Sequence, residues 1–188
     1  MLCYPQRTYA WGVLGVFASI LTLNSCQDHR LAPDPQTLPD APFYALTSNN
    51  QLLALNVRAT NTPTATVSIT GLDQGENIIA IDFRPVTGQL YGISSNSRLF
   101  VINQMTGVAR MVGTGPLSTP LNGTAAAFDF NPTVDRIRLM TNTGQNLRLH
   151  PETGAVAAID GSINGVAGAI ITGCAYTNSK AGNYYYAL

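Results

Sequence analysis

The sequence predicts an all-β fold assembled from repeats. Three observations carry that expectation. The stretch "IDFRPVTGQLYG" (81–92) returns as "FDFNPTVDRIRL" (128–139), an offset of 47 residues. Apolar runs of four to six residues alternate with turn words rich in Pro, Gly and Asn. No window keeps apolar residues at i, i+3, i+4 and i+7 through three turns, as an amphipathic helix requires. A fixed period of roughly 40–50 residues marks repeat architecture. Four short antiparallel strands per period describe one blade of a β-propeller. The expected fold is a β-propeller of 47-residue, four-stranded blades, incomplete in this chain at about three to four blades.

The first segment stands apart from the repeats. "MLCYPQR" carries one positive charge, Arg7, and the uncharged run "AWGVLGVFASILTL" follows from Ala10 to Leu23. As a helix these residues would reach about 21 Å, short of the roughly 30 Å hydrocarbon core. A cleaved signal peptide over residues 1–25 is therefore preferred to a spanning anchor. "LNSC" (23–26) resembles a bacterial lipobox, which implies a diacylglyceryl group on Cys26 and cleavage before it. Leu23 and Ser25 suit that pattern; Asn24 departs from the small or aliphatic residue commoner there. Firm anchoring takes more than one acyl chain, and a lipidated N-terminal cysteine carries two or three. Beside it, Gln27 implies the outer membrane if the cell is Gram-negative. Cys3 leaves with the signal and Cys26 carries lipid, so Cys174 has no partner for a disulfide within the chain. Residues 26–42 hold Pro33, Pro35, Pro39 and Pro42 and read as an extended tether, reaching roughly 50 Å from a membrane.

The repeat domain is expected over 43–188. "FYALTSNNQLLALN" (43–56) aligns without a gap with "LYGISSNSRLFVIN" (90–103), and Thr106-Gly107 falls on Thr153-Gly154. The second copy gives four strands: "AIDF", "QLYGIS", "RLFVIN" and "VARMVG". The first copy opens at the second strand. The fourth begins at "CAYTNS" and stops at "YYYAL", slipped by about one residue. The expected count is three, four, four and two strands. That leaves the ring open, and the chain reads as truncated or as completed by another chain.

These words, with "FDFNPTVDRIRLMTNTGQNLRL" the most specific, resemble DUF4394, a domain of unknown function in exported bacterial proteins. The resemblance covers residues 43–188. It implies repeats continuing beyond Leu188, and it brings no established activity, cofactor or catalytic residue.

Composition excludes one class of partner. Charged residues are 11% of the chain, ten basic against ten acidic, and the arginines are scattered, so nucleic acid is not expected. The membrane is the expected partner through the lipid. Asp82 and Asp129 hold equivalent places in the innermost strands of two blades. A ring of acids there would hold a cation or polar ligand; the plainer alternative is a repeated hydrogen bond to a backbone turn. Ala175 at the same place in the fourth copy argues against a ring. Arg136, Arg138 and Arg148 stand where the second blade has Gln89, Tyr91 and Val101. Their guanidinium forks suit a carboxylate or phosphate ligand, or they pair with neighbours such as Asp135 or Asp129. His29 and His150 lack partners at ligand spacing, so no metal or cofactor is expected. Cys174, in an apolar strand, reads as an inert hydrophobe. The glycine-rich run 161–173 reads as a connection between blades, not a phosphate loop.

The leading functional expectation is a binding module for a protein, glycan or small ligand. The alternatives are a propeller enzyme, a hydrolase or lyase with acids and arginines at the channel mouth, and a structural envelope component.

Overall fold

The structure is a computed structural model and describes residues 38–124, 126–161, 170–177 and 179–181. The expected signal peptide, Cys26, His29 and most of the tether lie outside the described residues, as do "YYYAL" and residues 162–169. Among the described residues every regular element is a strand, and no helix is long and apolar enough to cross a membrane. Sheet I holds β1 (Pro42–Leu46), β2 (Gln51–Asn56) and β3 (Ala65–Ser68). Sheet II holds β4 (Ile78–Phe83), β5 (Leu90–Ser94), β6 (Leu99–Ile102) and β7 (Ala109–Val112). Sheet III holds β8 (Ala126–Asn131), β9 (Arg136–Thr141), β10 (Asn146–Leu149) and β11 (Val156–Ile159). Each is an antiparallel meander in chain order. The strand words of the first three copies fall on these elements, three, four and four. One expectation fails: Cys174 is not in a strand, because residues 170–177 form no ladder. Instead, the Tyr176 N–H is taken by a side chain of sheet III.

The repeat is written in its turns. After the second strand of each copy come "TSNNQ", "SSNSR" and "TNTGQ". Thr47, Ser94 and Thr141 each donate their N–H to the carbonyl four residues on, at 2.9, 2.9 and 3.0 Å. The fourth residue of each word is left-handed: Asn50 at φ 54°, Ser97 at 60° and Gly144 at 89°. Asn and Gly tolerate that region locally. Ser97 is held in it by use: its carbonyl accepts the Leu117 N–H (2.7 Å) and its hydroxyl the Leu121 N–H (2.8 Å).

Two cores lie between the sheets. Leu52, Ile69, Ile78, Leu90, Phe100, Ile102 and Ala109 join sheets I and II. Tyr91, Ile93, Leu99, Phe128, Phe130, Ile137 and Leu139, with others, join sheets II and III. Alternate residues of β5 therefore face opposite cores, and all five are buried. Burying one such side chain contributes roughly 2 kcal/mol.

Backbone also meets backbone between sheets I and II, just after β3 and before β7. The Thr70 N–H donates to the Gly107 carbonyl (3.0 Å), and the Ala109 N–H to the Thr70 carbonyl (2.9 Å). A Cβ on Gly107 would stand 2.1 Å from the Ser68 carbonyl oxygen, so this contact requires glycine.

Candidate functional site

The first strands of sheets II and III, β4 and β8, lie side by side, and β1 lies beside β4. Asp82 and Asp129 come from the C-terminal halves of β4 and β8. The Phe130 N–H donates to Asp82 Oδ2 at 2.8 Å. The Tyr176 N–H donates to Asp129 Oδ2 at 2.5 Å. Each carboxyl thus accepts a backbone N–H of the next repeat, from strand β8 at Phe130 and from outside any strand at Tyr176, where the plainer expectation had a turn. Burial pushes the Asp82 carboxyl up to about 7. The Phe130 N–H opposes that rise, and the neighbouring Asp129 carboxyl, within hydrogen-bonding reach, adds to it. Two acids at close quarters, one titrating near neutrality, are what sequence position alone could not supply.

The side chains beside them repeat as well. Tyr44 meets Phe83 with ring centroids 5.6 Å apart, and Tyr91 meets Phe130 at 5.2 Å. Both residues of each pair advance by 47. At the third step Arg138 replaces the tyrosine, and its Nε lies 3.5 Å from the Tyr176 hydroxyl.

The three arginines singled out by sequence do not converge on one point. Arg138 and Arg148 both pair with Asp160, Arg148 through two bonds of 2.9 Å. Arg148 and, less strongly, Arg138 hold the Asp160 carboxyl below its ordinary range against the effect of burial. Arg136 Nη1 donates to the carbonyl of Asp135 (2.9 Å). The expected acidic neighbours were Asp135 and Asp129; the partner is Asp160, from the end of the same sheet. The Asp135 carboxylate belongs to Arg84, 51 residues earlier, which donates to its Oδ1 (2.9 Å) and to Glu152 Oε1 (3.1 Å). Arg84 therefore ties sheet II to two turns of sheet III.

Sequence reasoning also missed Glu76. Its side chain is fully covered and accepts from Ser94 Oγ (2.5 Å) and Arg98 Nε (2.8 Å). Burial alone would raise its pKa, but these donors and the Asp73 N–H hold it at about 2. No signal existed, since the next copy has Gly123 there. His150 accepts the Glu152 N–H within its own turn (3.2 Å). Burial, then the charges of Asp129 and Asp82, push the Cys174 thiol up to about 11, so near neutrality it is protonated.

A groove of about 460 Å³ opens beside Asp82, lined by Pro42, Phe43, Tyr44, Ile81, Phe83 and Leu90. It is apolar and aromatic, with one carboxyl at its wall, the usual make-up of a binding site.

The model of a domain of unknown function, DUF4394, matches residues 44–186. This chain belongs to the DUF4394 family. No curated protein matches it. The DUF4394 match takes in all three sheets from Tyr44 onward, the acid pair and all but Pro42 and Phe43 of the groove. The geometry, rather than the family, must therefore suggest a role.

Proposed function

We propose that this DUF4394 protein is an exported cell-envelope lipoprotein whose repeat domain is a β-propeller segment and acts as a binding module. Support for the propeller comes from the lateral repeat of sheet contacts, Tyr44–Phe83 and then Tyr91–Phe130, with β4 and β8 side by side. Support for the anchor comes from the sequence: the apolar leader, "LNSC" at Cys26 and the proline-rich tether. Cys26→Ala should move the protein from the membrane to the soluble fraction; unchanged fractionation would sink the anchor.

The single observation that carries binding is the groove between β1 and β4. Its aromatic walls suit a protein, glycan or small apolar ligand, and Asp82 supplies one polar fixing point. A nuclear magnetic resonance screen of the full chain against sugars, peptides and small apolar molecules tests it. Saturable shifts at Phe43, Tyr44 and Phe83 are expected, and a screen in which no class moves them refutes the module.

A second reading is favoured by one observation, the Asp82 carboxyl titrating near 7 beside Asp129. Such a pair is the equipment of a general acid and base, as a hydrolase or lyase needs. The first reading ranks above it because both Oδ2 atoms already hold backbone N–H groups of the next repeat.

A further inference from the structure

Among the described residues, sheet I has no counterpart of one strand that sheets II and III both possess. In register, β1 corresponds to β5 and β9, since Tyr44, Tyr91 and Arg138 stand 47 residues apart. Sheets II and III each place one more strand on the inner side of that position, β4 and β8. On β1 that side is paired with no described strand. The pleat says what it presents. The Thr47 N–H bonds the Gln51 carbonyl, so Phe43 and Ala45 share the hydrogen-bonded pairs with β2. Tyr44 and Leu46 consequently turn their N–H and C=O to the inner edge. The groove lies along this edge, with Tyr44 on one wall and Phe83 on the other.

Phe83 is the second half of the pattern. It corresponds to Phe130 and Tyr176, whose N–H groups are each held by the aspartate of the preceding inner strand. The Arg84 N–H bonds the Gln89 carbonyl, so the Phe83 N–H points away from β5 toward the groove. There the approaching acceptor is its neighbour Asp82.

We infer that the groove between β1 and β4 receives an extended peptide strand of apolar–Asp–aromatic sequence, added antiparallel to β1. This rests on the binding reading of the groove and names its partner. The two complete sheets fix the register. Asp82 opposes Tyr91, with Ile81 on Gly92 and Phe83 on Leu90; Asp129 opposes Arg138, with Phe128 on Leu139 and Phe130 on Ile137. The incoming aspartate therefore lies opposite Tyr44, its apolar predecessor opposite Ala45 and its aromatic successor opposite Phe43. Its carboxylate takes the Phe83 N–H and extends the Asp82–Asp129 row by one. Main-chain bonds to Tyr44 and Leu46 supply affinity, and the Asp and aromatic positions supply selectivity. Both segments of this pattern among the described residues, 81–83 and 128–130, are already built into their own sheets. The strand comes from outside the described residues.

The probe is a fluorescent peptide of the β4 sequence, "NIIAIDFRP" (77–85), added to the full chain. Saturable binding is expected, with amide exchange at Tyr44 and Leu46 slowed about tenfold or more. The same peptide carrying Asp82→Ala should bind about tenfold or more weakly, the loss expected for one charge-assisted bond. Absence of binding, unchanged exchange at Tyr44 and Leu46, or equal binding of a scrambled peptide overturns the inference. If sugars or small apolar molecules move Phe43 and Tyr44 while the peptide does not, the strand is wrong and the binding module stands. If none of them does, both fall together.

Discussion

Sheets I and II use the same words and meet different fates. Leu90–Ser94 is buried at every position, whereas its counterpart Phe43–Thr47 runs from exposed to half-buried. The turns that follow are equivalent, down to a left-handed fourth residue at Asn50 and Ser97. The aromatic contacts of Tyr44 and Tyr91 are equivalent too. What differs is company: sheet II has a core on each face and a strand, β4, on the far side of β5, whereas among the described residues sheet I has one core and no strand on the far side of β1. Burial in a repeat is conferred by neighbours, and local sequence decides only shape.

A matched pair of truncations would break or uphold this most forcefully. Ile93 is 0% exposed, and its counterpart in sheet I is Leu46, partly buried against one core. Ile93→Ala should cost about 2–5 kcal/mol, the range for truncations in a closed core. Leu46→Ala should cost about 1 kcal/mol, in keeping with its partial burial. Urea unfolding of both variants decides it, and equal losses would show the two sheets to be equivalently supported.

A smaller effect sharpens the role of the inner strand. Asp82 holds its proton more tightly folded, at about 7, than at its ordinary 3.8. The folded state therefore has its full advantage from this group below about pH 4, and loses it as pH rises through about 7. Asp82→Asn keeps an acceptor for the Phe130 N–H and removes the titration. Its Tm should hold level between pH 5 and 8 while that of the parent falls by about 5–10 °C, from about 1.4 kcal/mol per pH unit over the two units below pH 7 and about 2–4 °C per kcal/mol for a domain of roughly 150 residues. Parallel curves would mean that the inner strands do not feel this charge.

The strands and turns were legible because they rest on short-range chemistry: alternation, Pro and Gly at fixed offsets, and a hydroxyl before a left-handed residue. Asp82 and Asp129 were legible as positions, since the repeat marks them, but their grip on the next repeat's N–H was not. The pairs of Arg84 with Asp135, and of Arg138 and Arg148 with Asp160, cross sheets or strands and carry no local mark. Glu76 sits in a connector that the next copy does not reproduce, so the period is silent about it. Cys174 misled because an apolar word becomes a strand only if a ladder forms beside it, and there the Asp129 carboxylate takes the Tyr176 N–H instead.

The contact between Asp82 and Phe130, repeated by Asp129 and Tyr176, has a sense of direction. The acceptor always belongs to the earlier repeat and the donor to the later one. A row of such contacts is head-to-tail, like a heterologous interface between subunits, and its two ends are unlike. The polarity of the row is inherited from the direction of the polypeptide, so a repeat can be appended in only one orientation. Duplication of the 47-residue unit in tandem satisfies that requirement automatically.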